Sequence, residues 1–199
     1  MRVKKLSPRL EAMAGFVRAG ESVADVGADH AILPIYLVRE GISPFAVLTD
    51  VNPGPLEKTR LNIEKANGHK RDGSFCVQKR TQKEPSLLCP TQKEPSLLCF
   101  DLRLGDGLAA LAESEVDTVI IAGMGGETII SILEADPGKA LSFGKYILQP
   151  RTKTGALELW LAGSGWRVLE KTAADERGRL CDIIVCAPKA KEERDSDDR

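Results

Sequence analysis

The sequence predicts an α/β fold in which helices cover both faces of a mostly parallel β-sheet. Apolar runs at 23–26 and 45–49 indicate buried strands, and each is followed by a helical pattern that ends at a glycine. A third run, at 116–121, is nearly continuous in β-branched residues, as expected of a strand that is buried on both faces. Strands and helices that alternate at this spacing form right-handed βαβ units.

The N-terminal segment, residues 1–20, predicts a short helix with a basic surface. Ser7 and Pro8 suit the N-cap and the first turn of this helix. The basic side chains of the segment include Lys4, Lys5 and Arg9. Such a face is either solvated or contacts the phosphates of an RNA, and the sequence leaves both interpretations open.

Residues 69–98 interrupt the alternation of strands and helices. The block TQKEPSLLC occurs at 81–89 and again at 91–99, with a proline inside each copy. Two copies of so short a block cannot form a solenoid. We therefore predict an inserted loop, a solvated linker rather than a partner-binding segment, whose second copy leads into a strand near 98–102.

The rest of the chain adds three parallel strands and closes with an antiparallel hairpin. The predicted strands after the insertion are 98–102, 116–121, 146–149, 166–170 and 180–186, with ADERGR (174–179) as the hairpin turn. Residues 21–187 are therefore expected to form one domain. The charged tail, 188–199, has no apolar periodicity and is expected to be disordered.

Composition excludes several classes of protein. The 199 residues carry a formal net charge of −1, so any RNA-binding surface has to be a local patch. No apolar run approaches the ~20 residues of a membrane span. Five cysteines show neither CxxC nor zinc spacing, and two histidines form no cluster, so we expect reduced thiols and no metal. These features favour a cytoplasmic protein, and we expect a monomer.

Acidic residues follow three successive predicted strands. Asp25 and Asp29 flank the turn at Gly27, Asp50 ends the second strand, and Asp106 follows the third. Each acid alone could be a turn residue or an N-cap. Parallel strands, however, bring their carboxyl ends to one edge, where ligands of open α/β sheets bind. Acids at that edge suit a cationic ligand with ribose hydroxyls and no phosphate, such as S-adenosylmethionine (SAM).

The fourth strand ends instead in the glycine-rich turn AGMGG (122–126), where Met124 could pack on an adenine ring. The first turn has a single glycine and no GxGxxG, which argues against a dinucleotide pyrophosphate and an NAD-dependent oxidoreductase. His30 follows that turn; a lone histidine there more often caps or packs than catalyses.

The motifs ADVGADHAILPIYL, RLGDGL, IAGMGG and ILQP, in this order, resemble the bacterial tRNA (adenine-N1)-methyltransferases that modify adenine 22 of the D-arm. The resemblance covers residues 6–187 apart from the insertion. It implies a Rossmann-like class I methyltransferase domain with a seven-stranded sheet, SAM as cofactor and tRNA as partner. The residues it assigns to SAM are Asp25, Gly27, Asp29, His30, Asp50, Val51, Asp106, Gly107, Ala122, Gly123 and Met124.

This chain departs from the family at three places. Ile32 replaces the usual tyrosine, the tandem copy lengthens a loop, and residues 188–199 stand where the family commonly has a helical hairpin. Alternative functions are therefore a methyltransferase of small molecules and a SAM-binding protein without catalysis.

The chemistry of adenine N1 assigns the remaining roles. N1 is unprotonated at neutral pH and needs no general base, whereas the methylated purine is a cation. We therefore assign Asp29, with His30 as second candidate, to stabilising that charge or accepting a proton. Lys4, Lys5 and Arg9 are expected to hold RNA phosphates, and Gly125 to contact the target base.

Overall fold

The computed structural model describes residues 6–28, 30–66, 75–81 and 98–189. Several sequence predictions lie outside these ranges: those for Lys4, Lys5, Asp29, the duplicated block between 82 and 97, and the tail from 190 onward.

Six α-helices and eight strands make up the described part of the chain. The helices are α1 (Pro8–Gly15), α2 (Ile32–Arg39), α3 (Pro53–Ala66), α4 (Gly126–Glu134), α5 (Pro137–Ala140) and α6 (Thr154–Gly163), and a 3₁₀ turn covers Gly107–Ala110. The strands are β1 (Val23–Val26), β2 (Phe45–Asp50), β3 (Phe75–Thr81), β4 (Leu98–Leu104), β5 (Thr118–Gly125), β6 (Lys145–Thr152), β7 (Trp166–Glu176) and β8 (Arg179–Pro188).

The strands form one sheet in the order β3-β4-β2-β1-β5-β6-β8-β7. Neighbours from β3 to β6 are parallel, whereas β8 is antiparallel to both β6 and β7. The chain thus reverses direction across the sheet at β1, between β2 and β5, where a doubly wound sheet opens a ligand crevice. The predicted Rossmann-like fold with a C-terminal antiparallel hairpin is confirmed.

Side chains of the central strands alternate between two hydrophobic cores. Val23 packs with α1, α2 and α3 on one face, while Ala24 and Val26 pack with α4 and α6 on the other. Asp25 belongs to the same face as Val23, because side chains two apart in a strand share a face. The carboxyl therefore points toward the layer that contains α1.

The segment predicted to be an inserted loop contains an additional strand. β3 pairs in parallel with β4 at the sheet edge, so the described sheet has eight strands rather than seven. The sequence prediction missed it because Phe75–Thr81 is a short, polar run with a weak strand pattern. In the same region, Cys99 is disulfide-bonded, which corrects the expectation of a reduced thiol at that position, whereas Cys181 and Cys186 are free. Spacing rules for CxxC cannot detect a pairing made by tertiary contact.

The C-terminal hairpin is longer and tighter than predicted. After a register shift between Val168 and Glu170, β7 and β8 pair without interruption up to Glu176 and Arg179, so the turn consists of Arg177 and Gly178 alone. Both have positive φ, 61° and 80°, as in the two-residue turns that match the twist of paired strands. Near this turn, Ser7 is the N-cap residue of α1, as predicted, but its hydroxyl makes no capping bond and donates to Glu176 at 3.2 Å.

Candidate active site

The ends of β1, β2 and β4 are tied together into one rim. The carbonyl oxygen of Thr49 accepts from the backbone N–H groups of Gly27 and Ala28 at 2.8 and 3.0 Å. The next carbonyl, that of Asp50, accepts from the N–H of Gly105 at 3.0 Å. The structure therefore brings the first three acid-bearing turns to a common edge, as the strand order requires.

A cavity of about 190 Å³ lies beside the end of β1 and reaches the Asp25 carboxyl. It is lined by residues of α1, of the turn after β1 and of β5, including Arg9, Asp25, Gly27, His30, Ile32 and Ala122. Burial raises the pKa of Asp25 to about 7, and the charge of Arg9 opposes this shift. The carboxyl is thus incompletely compensated, which favours a cationic ligand in this cavity.

The turn after β1 requires glycine. Gly27 has φ of +78°, and a Cβ placed there would lie 2.1 Å from Cε of Met124. Met124 therefore covers Gly27, so two of the predicted cofactor-binding residues are in contact. A larger residue at position 27 would displace the thioether and strain the backbone.

The side chains of Asp50 and Asp106 differ in their hydrogen bonding. One carboxyl oxygen of Asp50 accepts from the backbone N–H of Asn52 at 2.8 Å, which makes it a turn residue as well as a candidate for ribose hydroxyls. Asp106 precedes the 3₁₀ turn and is exposed, and its side chain makes no capping bond. The adjacent Gly107 is buried with φ of +50°.

The proposed catalytic residues are described in part. His30 is exposed and lines the cavity, and its carbonyl oxygen accepts from Asn62 at 3.2 Å. Asp29 lies outside the described residues, so its role stays a prediction. Ile32 also lines the cavity and is 40% exposed, while Val51 is 55% exposed beyond the end of β2.

A second, larger cavity of about 580 Å³ adjoins the first, and the sequence did not predict it. We call it the arginine cleft; its charged lining residues are Arg9, Arg151, Arg177, Arg179, Glu176 and Asp182. Arg9 crosses from α1 and donates to Glu176 at 2.7 Å and to the buried Gln149 at 2.9 Å. Arg9 lines both cavities. Of the three residues predicted to hold RNA phosphates, Lys4, Lys5 and Arg9, it is the one that lies in the described ranges.

The glycine-rich turn separates the two cavities. Ala122 lines the smaller cavity and the next residue, Gly123, lines the arginine cleft. The pairing of β5 with β6 becomes irregular here, and Gly123 has φ of +76°. Gly125 ends β5 in an extended conformation, and Gly126 lies so close to the start of α6 that a Cβ would be 2.4 Å from the carbonyl oxygen of Lys153.

The described ranges contain neither a metal site nor a membrane-spanning helix. No group of three or more of their side chains could hold a metal ion. Nor does any helix in these ranges have the length and apolar character to cross a membrane.

Comparison with known proteins agrees with the fold and with this rim. Residues 6–80 and 89–184 match the family described as a methyltransferase domain, Methyltransf_18. The chain belongs to this methyltransferase family.

One relative of this chain is a tRNA methyltransferase. Over 183 residues it is 28% identical to the tRNA (adenine(22)-N(1))-methyltransferase of Bacillus subtilis (strain 168), covering 91% of this chain and 64% of that protein. It is therefore similar to slightly less than two thirds of that enzyme's length. The resemblance found in the sequence motifs is confirmed.

Two solved structures with bound ligands are similar to the whole described domain. Streptococcus pneumoniae Sp1610, a candidate tRNA (m1A22) methyltransferase in complex with S-adenosyl-L-methionine, gives a TM-score of 0.72 at 32% identity, covering 93% of this chain and 74% of that one. M. capricolum TrmK in complex with S-adenosyl-homocysteine gives 0.68 at 26% identity, covering 94% and 72%.

Proposed function

We propose that this chain is a SAM-dependent methyltransferase that methylates N1 of an adenine at position 22 in the D-arm of tRNA. The observation that carries the proposal is the incompletely compensated Asp25 carboxyl in the cavity at the end of β1. It is supported by relatives named as tRNA (adenine-N1)-methyltransferases and by similar structures that contain SAM or its product.

The residues at the carboxyl edge of the sheet fit SAM, and of the three described acids Asp25 is the one that lines the smaller cavity. Asp25 would offer a carboxylate to the cationic part of the cofactor, and Asp50, beyond that lining, has an oxygen outside its turn bond for ribose hydroxyls. Asp106, exposed and making no capping bond, would accept from an exocyclic amine. Met124 provides a flexible, polarisable surface for an aromatic ring. Bound SAM would supply an electrophilic methyl group on a positively charged sulfur.

The protein's part in the reaction is to position the adenine and to stabilise charge. N1 lies on the pairing edge of the base, so the adenine must be unpaired or flipped before attack. The backbone of the AGMGG turn, including Gly125, would contact the base and hold N1 in line with the methyl group. The purine becomes cationic on methylation, and Asp29, or His30 beside it, would stabilise that charge or accept a proton.

Incubation with labelled SAM and unmodified tRNA tests the proposal. We expect incorporation of label into a transcript with adenine at position 22 and none into the matched transcript with guanine there. Asp29→Ala should lose most of the turnover when it is assayed at saturating SAM. Equal labelling of both transcripts would contradict the assigned position, and labelling of neither, with SAM binding intact, would favour a small-molecule substrate or a non-catalytic role.

A further inference from the structure

The arginine cleft lies at the same rim as the smaller cavity, and four arginines line it. We propose that it binds a phosphodiester group of the RNA strand next to the target adenine. This inference rests on the proposed function and adds the place where the backbone of the substrate is held.

The charges of the cleft favour an anion. Four arginines and two carboxylates line it, and one of the carboxylates, Glu176, is already bonded to Arg9 and to the Ser7 hydroxyl. Arg151, Arg177 and Arg179 are exposed around the opening. Guanidinium groups bind phosphate oxygens in a two-pronged geometry that an ammonium group does not offer. Arg151, Arg177 and Arg179 line the cleft and not the smaller cavity that we assign to SAM.

The cleft is held in shape by the backbone around it. The guanidinium of Arg179 donates to the carbonyl oxygen of Arg151, which ties the start of β8 to the end of β6. Arg177 stands in a two-residue turn between long paired strands, so its backbone position is defined. A phosphate bound here would meet donors that are already arranged, which lowers the entropy lost on binding.

The position of the cleft matches a strand that delivers a base to the methyl group. Gly123 lines the cleft and the preceding Ala122 lines the cofactor cavity, so a nucleotide in the cleft is separated from the cofactor by the thickness of one turn. Its volume of about 580 Å³ is within the ~300–1,000 Å³ typical of small-molecule sites. A phosphodiester that flanks the flipped base therefore has room here, on the side of the turn away from Asp25.

The experiment measures tRNA binding without turnover. Arg151→Gln, Arg177→Asn and Arg179→Gln each remove one exposed charge, and asparagine tolerates the positive φ of position 177. The control is Arg18→Gln, an exposed arginine at the opposite, amino end of the sheet, near the start of β6. Affinity for an unmodified tRNA transcript is measured over a series of salt concentrations, and SAM affinity and melting temperature are measured for every variant.

We expect each cleft variant to weaken tRNA binding about three- to tenfold at low salt and to reduce the slope of log affinity against log salt by about 0.7–0.9, one phosphate contact. SAM affinity and melting temperature should match the wild type, as should all properties of Arg18→Gln. The proposal is overturned if the cleft variants bind tRNA like the wild type, or if Arg18→Gln loses as much affinity as they do.

A methylation assay separates this proposal from the proposed function. A wild-type protein that methylates adenine 22 while all cleft variants bind tRNA normally would overturn only the phosphate site. Arginine-dependent tRNA binding without methylation would support the site and overturn the proposed activity. Absence of tRNA binding by the wild type would overturn both.

Discussion

The two cavities at the carboxyl edge of the sheet are built in opposite ways. The smaller one surrounds a carboxyl on the central strand, in a place where burial alone raises the pKa of Asp25 to about 7. The larger one is bordered by exposed arginines at the end of β6 and in the terminal hairpin. The poor solvation of the smaller cavity thus strengthens the attraction of an ionised Asp25 for a cation, whereas the other site depends on several solvated charges that salt can screen.

Replacement of Asp25 should have the largest effect and should act on one cavity alone. Asp25→Asn is expected to weaken SAM binding by about 10- to 100-fold, the range for losing a charged hydrogen bond. Its melting temperature above neutral pH should not fall, because the folded protein no longer has to bury an ionised carboxyl. Calorimetry with SAM measures the affinity, and thermal unfolding measures the melting temperature. As a control, the tRNA affinity should not change. An unchanged SAM affinity would contradict the role of Asp25.

The turn between the cavities should be intolerant at one glycine and tolerant at its neighbour. At Gly126 a Cβ would lie 2.4 Å from the backbone oxygen of Lys153, whereas at Gly125 it would lie 3.4 Å from the hydroxyl of Thr152. We expect Gly126→Ala to reduce the free energy of unfolding by about 1–3 kcal/mol and to lower the affinity for both SAM and tRNA. Gly125→Ala should leave stability near that of the wild type. Equal denaturation midpoints for the two variants would show that the backbone around Gly126 can move to accommodate a methyl group.

SAM affinity should depend on pH in the direction set by Asp25. Because the folded-state pKa is raised to about 7, the folded protein holds a proton that the unfolded chain releases, so this group lowers stability as pH rises from about 4 to about 7. A cationic ligand prefers the ionised carboxyl. SAM binding should therefore tighten about tenfold from about pH 6 to about pH 8, and at about pH 6 it should be accompanied by release of a proton. Calorimetry in two buffers measures this, and Asp25→Asn should flatten the profile.

Arg9 should have the smallest effect but should act on both cavities. Its bonds to Glu176 and Gln149 link α1 to the hairpin and to β6, and its side chain is 22% exposed. We expect Arg9→Gln to weaken SAM and tRNA binding by about two- to fivefold each, in line with the modest energy of a partly solvated ion pair. An effect on tRNA alone would show that Arg9 belongs only to the cleft.

The sequence was sufficient to predict that Asp25, Asp50 and Asp106 lie at one edge of the sheet. Buried strands have a strong pattern, and the turns after β1, β2 and β4 carry their acids directly at the strand ends, so the order of strands alone brings them together. The tight turn at Gly27 could also be predicted, although not that Met124 would cover it. These features depend on residues that are close in sequence.

The arginine cleft could not be predicted in the same way. It combines Arg9 from the first helix, Arg151 from β6 and the turn at Arg177, which are separated by most of the chain. They meet because β8 inserts between β6 and β7, a pairing order that a hairpin pattern does not specify. β3 was missed for a different reason: an edge strand needs little hydrophobic surface, so its sequence resembles a loop.

Successive residues of one strand end, Ala122 and Gly123, line different cavities, so the two cavities share one short stretch of backbone. A shift of that backbone would change the shape of both cavities together, whereas a substitution at a residue that lines one of them would change that cavity alone. The two linings can therefore diverge in sequence independently of each other, provided that this stretch keeps its conformation.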